Sequence, residues 1–461
     1  MYQINFDDPI HVHFIGIGGI SMSGLAEVLL DRHFTVSGSD RAENELIRHL
    51  EKLGAKVSFP QRAVNITDDI DCVVYTAAIH PDNPEFAEAK SRGIPMLTRA
   101  QLLGEIMKHY DNSIAVAGTH GKTTTSSMIS QILLEGKKDP TLSIGGIFKA
   151  INSNIHVGSS DLFLTEACEY TNSFLSLFAK YSVILNVEAE HLDFFKDIDD
   201  IRNSFHQFAK DTKADGAVII NDEIPDYRQL VDGIDARVIT VGFNEGADYH
   251  ASDISYDKTG EASFEVTGFG QDLGQVRLSV PGRHNVGNAL AAIAVARELG
   301  FDMDQIRAGL AKFGGAKRRL ELKGKYHGAT VIDDYAHHPT EVRASLEAAG
   351  RYPHKKLYVV FQPHTYTRTK AFLDQFADAL SQADQVVLAE IFPAREKDIY
   401  GVHSADLCEK VRERGTACEV FPSFDQIEEF LQKNIADGDL LITMGAGDVY
   451  KIGEDLLKQE L

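Results

Sequence analysis

The stretch Ser113–Thr125, SIAVAGTHGKTTT, constrains the fold more than any other part of the chain. Ile114-Ala115-Val116-Ala117 is a short apolar run of β character. Gly118 and Gly121 tighten the turn that follows, and Lys122 with three threonines heads a helical segment. A strand that enters a helix through a glycine turn is the unit of an α/β sheet. The same order of residues makes a phosphate cradle. Glycines let backbone N–H groups converge on an anion, the helix N-terminus adds its positive dipole end, Lys122 adds a point charge, and a threonine hydroxyl can ligate Mg²⁺. Gly118, Thr119, Gly121, Lys122, Thr123 and Thr124 are therefore the residues expected to bind the phosphates of a nucleotide. The usual nucleotide pattern has a further glycine at 116, where this chain has Val116, so the loop is a variant. A mere surface turn does not account for strand, Gly, Gly-Lys-Thr and helix in that order.

A chain of 461 residues exceeds a single core, and three domains of ordinary size is the natural expectation. Its 43% hydrophobic and 25% charged residues supply several globular cores. A net charge of −22 argues against a nucleic-acid surface, while leaving small anionic ligands to local basic groups. No apolar run reaches membrane-spanning length, and the first basic residue is Arg32, so neither a membrane span nor a basic-headed signal peptide is expected. A cytoplasmic protein is the expectation. The cysteines Cys72, Cys168, Cys408 and Cys418 are scattered without a CxxC pair, which suits reduced core thiols.

At the N-terminus, His11–Ile15 reads as a strand, Gly16-Ile17-Gly18-Gly19 as a turn, and the segment through Leu30 as a helix. A second strand, Phe34–Ser37, leads to Gly38-Ser39-Asp40, which places an acid roughly 20 residues past the turn, where a ribose hydroxyl is usually held. Ser21 replaces the third glycine of the dinucleotide fingerprint, so the turn suits another nucleotide as well as NAD. Strands at Lys56–Phe59, Cys72–Ala78 and Pro95–Thr98 complete a small parallel domain, and the polar joint Tyr110-Asp111-Asn112 closes it. The strand and helix rhythm resumes with strands at Asp161–Ala167, Ser182–Ala189, Gly216–Asn221 and Arg237–Phe243. Alternation between Tyr249 and Pro281 predicts a small antiparallel addition, before a helix over Asn285–Leu299. A third rhythm follows Lys317-Arg318-Arg319, with strands at Thr330–Tyr335, Leu357–Gln362, Gln385–Ile391, Ala417–Phe421 and Asp439–Met444. The expectation is three α/β domains over residues 1–110, 111–318 and 319–461.

Sites in such folds gather at the carboxyl ends of strands. Glu166 ends the strand Asp161–Glu166, and His191 follows the next strand with Glu188 and Glu190. A carboxylate and an imidazole beside a triphosphate can hold one or two Mg²⁺, although histidine is an unusual partner for so hard a cation, and a capped or solvent-facing role is the plainer reading of His191 alone. Glu169 and Glu188 read as solvated neighbours. Asn285 and Asn288, three apart, share a helix face; they suit a base or a phosphate, and Asn285 also suits an N-cap. Asp333-Asp334-Tyr335-Ala336-His337-His338-Pro339-Thr340-Glu341 breaks from strand to helix and holds more ionisable groups than a cap needs. Arg368, in Gln362–Thr369, stands where a small carboxylate can be clamped bidentately, with an ordinary loop arginine as the alternative.

Taken together, FIGIGGISMSG, GTHGKTTT, TEACE, AEHLD, HNVGN, KRRLE, DDYAHHPTE and FQPHTYTRT, in that order across nearly the whole chain, resemble the ATP-dependent Mur ligases of peptidoglycan assembly. The pattern is most similar to the alanine-adding branch, with the tripeptide-adding branch next. The resemblance implies a Rossmann-like first domain that binds the UDP sugar, with Gly16, Gly18, Gly19 and Ser21 at the diphosphate, Asp40, Thr76 and Ile79 near the uridine, and His120 also on the UDP sugar. It implies a central P-loop ATPase domain with a mostly parallel sheet, where Lys122 and Thr123 hold phosphates and Mg²⁺, Thr123, Glu166 and His191 ligate the metal, and Asn288 approaches the nucleotide. A Rossmann-like third domain would contribute Arg319 and Asp334 to ATP, and Tyr335, His337, His364 and Arg368 to the amino acid. Lys122, Arg319 and His337 would be the catalytic groups.

ATP and Mg²⁺ are the implied cofactors; UDP-N-acetylmuramate, ATP and L-alanine the implied partners, in a monomer or homodimer. Thr365 and Ala336 depart from the branch's commoner arginine and glycine. Later ligases place a carbamylated lysine beside the metal, whereas no lysine lies between Lys196 and Lys210, and His206 takes roughly that place. A nicotinamide oxidoreductase would leave GTHGKT and DDYAHHP idle, and a nucleotide-gated regulator would dispense with the third-domain cluster.

Overall fold

The computed structural model describes residues 2–76, 78–192, 194–394 and 396–459, so Ala77 of the expected strand Cys72–Ala78 and Asp193 of the AEHLD motif lie outside the described residues. The chain divides into two compact units. The first takes Met1–Val187, Asp199–Thr240 and Ala294–Phe301, and the second Glu188–Ile198, Val241–Ile293 and Asp302–Leu461.

In the first unit, β1 (His11–Ile15), α1 (Ile20–Asp31), β2 (Thr35–Ser39), α2 (Glu45–Lys52), β3 (Lys56–Ser58), β4 (Cys72–Tyr75), α3 (Pro84–Ser91), β5 (Met96–Thr98) and α4 (Arg99–Met107) alternate. The strands form a parallel sheet of order β3-β2-β1-β4-β5. Successive residues Phe14 and Ile15 of β1 are both buried, as a strand covered on both faces requires. Local chemistry sets the helix starts: the Asn83 side chain accepts from the Glu85 and Phe86 N–H groups ahead of Pro84, and Thr98 and Gln101 form a capping box. Strand order reverses beside β1, which opens the usual ligand crevice where β1 and β4 end.

The same unit holds β6 (Asn112–Ala117), α5 (Lys122–Glu135), β7 (Thr141–Phe148), β8 (Ser153–His156), β9 (Leu162–Ala167), β10 (Tyr181–Ile184), α6 (Ile198–Lys210), β11 (Ala217–Asn221), α7 (Tyr227–Leu230) and most of β12 (Arg237–Gly242). β6 lies between β10 and β9, parallel to both, so three strand ends meet at the phosphate loop. Two expectations change here. β10 stops at Ile184 rather than Ala189, because apolar residues continue past Ile184 at Leu185, Val187 and Ala189 and hide where pairing ends. The antiparallel pair β7 and β8 was unmarked in the sequence, since Gly145-Gly146 interrupts the apolar pattern.

The second unit contains β13 (Tyr249–Tyr256), β14 (Glu261–Gly268) and β15 (Gln271–Pro281), the expected antiparallel addition. It continues with the start of α8 (Arg283–Glu298), then α9 (Met303–Lys312), β16 (Glu321–Tyr326), β17 (Ala329–Asp334), α10 (Pro339–Ala349), β18 (Leu357–Phe361), α11 (Tyr366–Ala371), α12 (Leu373–Leu380), β19 (Gln385–Leu388), α13 (Ser404–Glu413), β20 (Ala417–Val420), α14 (Phe424–Asn434), β21 (Leu440–Met444) and α15 (Tyr450–Lys458). The last sheet has the order β16-β17-β21-β18-β19-β20 and is parallel except for the β16–β17 hairpin. β16 escaped the sequence pattern because it is a half-exposed edge strand rich in lysine and glycine. β17 and β18 flank β21, so the DDYAHHP and FQPHTYTR segments leave one edge of the sheet.

All four cysteines are free, as expected, but Cys168 is exposed rather than in a core. Among the described residues no helix is long and apolar enough to cross a membrane.

Candidate active site

At the β1 and β4 ends the expected nucleotide turn is drawn tight. Gly16 has φ +87° and lies so close to Thr76 that a Cβ would sit 3.2 Å from its methyl. Thr76 is thereby brought to the glycine turn, while Ser21 stands in the first turn of α1 and is exposed. Asp40 braces the turn: Oδ2 accepts from the Gly18 N–H at 2.8 Å and Oδ1 from the Arg41 N–H at 2.7 Å. A Cβ on Gly18 would come within 2.9 Å of that carboxylate, so side-chain-free backbone is required there.

The phosphate loop is strained in the way its glycines allow, with φ +146° at Gly118 and +82° at Gly121, the N-cap of α5. Lys122 folds back over its own loop: Nζ donates to the Gly118 and Thr119 carbonyls and pairs with Glu169 Oε2 at 3.0 Å. Burial works against its charge, but Glu169, with Cys168 and Glu166, outweighs that and raises its pKa. Glu169 is therefore no solvated neighbour; it is 2% exposed and is a counter-ion of the loop lysine. Nothing in TEACE marks the second glutamate as the one that turns inward.

Glu166 is the last residue but one of β9, level with Val116 of β6. Its Oε1 accepts from the Gly145 N–H at 2.6 Å and the Ser126 hydroxyl at 3.3 Å, while Oε2 accepts no hydrogen bond among the described residues. A Cβ on Gly145 would lie 2.5 Å from Oε2, and one on Gly146 3.4 Å from the Thr123 methyl. The Gly145-Gly146 pair thus lets bare backbone pass beside Glu166 and Thr123. A carboxylate and a threonine hydroxyl are oxygen donors of the kind Mg²⁺ takes.

The second unit assembles its own polar cluster. Asp334, at the end of β17, accepts from the Leu320 N–H through Oδ2 and the Ala336 N–H through Oδ1, each at 2.7 Å. Burial pushes its pKa up to about 6. These bonds hold the Lys317–Leu320 turn, in which Arg318 and Leu320 both have positive φ. Arg319 reaches Glu341 Oε1 at 3.6 Å and lies over the Tyr335 ring. His337 Nδ1 donates to the Tyr335 carbonyl at 3.0 Å, and burial brings its pKa down to about 4. A neutral ring in this tautomer leaves Nε2 as an acceptor.

Arg368 differs from the expected open clamp. Its Nε and Nη2 donate to Glu190 Oε1 at 3.0 and 2.8 Å, and Nη1 donates to His364 Nδ1 at 2.9 Å. The carboxylate it clasps here is the chain's own, and Glu190 is 7% exposed. Burial opposes the Glu190 charge, yet Arg368 brings its pKa down to about 2. His364 is brought down to about 4 by burial and by Arg368. Glu188 is also tied in, accepting from the Thr340 hydroxyl at 2.6 Å, rather than solvated. His338 caps α10 by accepting from the Thr340 N–H, ahead of Pro339, as helix-start chemistry predicts.

His191 belongs to this unit, has φ +55°, and donates its N–H to Glu190 Oε1 at 3.0 Å. Asn288 Nδ2 donates to Asn285 Oδ1 at 3.1 Å, which confirms the shared helix face. Asn285 is not the N-cap: α8 begins at Arg283, and Asn285 Nδ2 donates to the Pro281 carbonyl at 2.7 Å.

Three family models cover nearly the whole chain in order: Mur ligase family, catalytic domain, at residues 11–111; Mur ligase middle domain at 116–296; and Mur ligase, glutamate ligase domain, at 318–447. A UDP-N-acetylmuramate–L-alanine ligase of Agathobacter rectalis is 60% identical over 459 residues, all of both chains. The chain belongs to the Mur ligase family. A second relative, the UDP-N-acetylmuramate–L-alanine ligase of Lachnospira eligens, is 57% identical over 99% of this chain and 100% of its own. The crystal structure of UDP-N-acetylmuramate-alanine ligase from Thermotoga maritima matches with a TM-score of 0.79 at 28% identity, over 98% of this chain and 99% of that one. This Mur ligase accordingly has the three-domain α/β architecture with mostly parallel sheets.

Proposed function

We propose that this Mur ligase joins L-alanine to UDP-N-acetylmuramate at the expense of ATP, in peptidoglycan precursor synthesis. The observation that carries the reading is full-length identity of 60% to a ligase of that name, with the Lys122 loop folded as a phosphate cradle. On this reading residues 1–110 take the UDP sugar, through Gly16, Gly18, Gly19, Ser21, Asp40, Thr76 and Ile79, and His120 of the central domain also serves the UDP sugar. Residues 111–318 take ATP, and residues 319–461 the amino acid.

The lactyl carboxylate attacks the γ-phosphorus of ATP, and the bond to the β,γ-bridging oxygen breaks to release ADP. Because that transition state is loose, Lys122 and Arg319 act by position and charge. Lys122 must leave the Gly118 and Thr119 carbonyls to reach a γ-phosphate, and Glu169 keeps it charged meanwhile. Thr123, Glu166 and His191 would hold Mg²⁺, which when bound neutralises phosphate charge. The amine of L-alanine then attacks the acyl carbon, inorganic phosphate departs with the C–O bond pair, and the proton lost by the nitrogen passes to solvent. A ring held near 4 is a weak base, so we assign His337 Nε2 the task of accepting a hydrogen bond from the amine and orienting it.

ADP release should require UDP-N-acetylmuramate and L-alanine together. Release only with a tripeptide in place of alanine would overturn the reading. Lys122→Ala should abolish ADP formation while the UDP sugar still binds; undiminished turnover would remove the loop from the mechanism.

A further inference from the structure

We infer that Asn186 is a positioning residue of the phosphate loop, acting as a side-chain amide clasp on the backbone of His120. The inference rests on the proposed use of the loop for ATP. Its Oδ1 accepts from the His120 N–H at 2.7 Å and its Nδ2 donates to the His120 carbonyl at 3.1 Å, so one side chain satisfies both backbone groups of one loop residue. The Asn186 carbonyl also accepts from the Thr119 N–H at 3.3 Å, and the Leu185 N–H donates to the Ala117 carbonyl at 3.0 Å. Asn221, at the end of β11, donates to the Leu185 carbonyl at 3.1 Å and holds the clasp from the other side.

β10 stops pairing at Ile184, yet its continuation imitates a further rung of sheet by using an amide in place of a peptide group. The loop needs this restraint. Its N–H groups converge on an anion only while Gly118 and Gly121 keep φ +146° and +82°, which an unrestrained glycine turn does not hold. The fit is also close: a Cβ on Gly118 would meet Leu185 Cβ at 3.0 Å and the Asn186 nitrogen at 3.3 Å. Among ordinary side chains of this length, only asparagine both accepts and donates at its tip; aspartate keeps the acceptor and turns the donor into a repelling oxygen.

The test measures steady-state kinetics of the full chain for Asn186→Ala and the isosteric Asn186→Asp, beside Lys122→Ala. The expected result is a KM for ATP raised on the order of tenfold in both Asn186 variants, two net hydrogen bonds being at stake. The KM for L-alanine should stay within about twofold and that for the UDP sugar should rise less than that for ATP, His120 being assigned to the UDP sugar, while a cooperative melting transition shows that the variant is folded. Should Asn186→Ala fail to fold, Asn186→Asp carries the same expectation. An unchanged KM for ATP in a folded Asn186 variant, or a parallel rise in all three KM values, overturns the clasp alone. ADP formation that survives Lys122→Ala overturns the loop reading and the clasp with it.

Discussion

Arg368 and Glu190 show how a single pair redirects a residue's role. Both are nearly buried, with side chains 9% and 8% exposed, and each satisfies the other's charge. Removing one partner strands the other without water, so Arg368→Ala should cost about 3–5 kcal/mol of stability, measured by denaturant unfolding. Glu190→Gln should change the acid limb instead. The folded carboxyl titrates at about 2 against an ordinary 4.5, so its contribution is fully present above 4.5 and is lost as pH falls toward 2. The stability difference between parent and Glu190→Gln should therefore shrink through that window; a constant difference would mean the pair contributes nothing electrostatic. Asp334 has the opposite sign. Its folded pKa of about 6 lies above the ordinary 3.8, so its contribution is fully present below 3.8 and lost as pH rises toward 6. Arg368 was recognisable in the sequence as a strand-end arginine, but not its partner, because Glu190 lies far away in the chain and only folding brings the two together.

Elements place these residues by where strands stop and by how closely backbones approach. α4 packs against the short turn at Tyr170–Ser176, and a Cβ on Gly104 would lie 1.9 Å from the Ser176 carbonyl oxygen. Alanine gains up to about 1 kcal/mol of helix propensity over glycine. A collision with backbone at that distance outweighs the gain, so Gly104→Ala should lose about 1–3 kcal/mol, seen as a lower melting temperature. An unchanged or higher melting temperature would show that α4 can shift freely. The start of α10 was legible, since Pro339 after His338 carries helix-start chemistry locally, whereas the Thr98 and Gln101 capping box ahead of α4 went unread. The end of β10 was not legible, because the apolar residues Leu185, Val187 and Ala189 read the same whether or not they are paired, and the β7–β8 hairpin was not, because Gly145-Gly146 breaks its apolar pattern.

For the whole molecule, the proposed placing of three substrates on three domains predicts closure on binding. Small-angle scattering should show a smaller radius of gyration with UDP-N-acetylmuramate and a non-hydrolysable ATP analogue together; an unchanged radius would dispose of closure as part of the cycle. The sequence alone determined the α/β class, the antiparallel addition after Tyr249, the phosphate loop and the strand-end clusters. Each of these is written in local order: glycines beside a lysine, caps beside helices, alternation within a strand. Tertiary structure decided the partnerships. It turned Glu169 inward to Lys122, gave Arg368 to Glu190, set Asn186 on His120, and passed bare Gly145-Gly146 beside Glu166 and Thr123. These are contacts between residues distant in the chain, and their strength depends on burial, which no local pattern records.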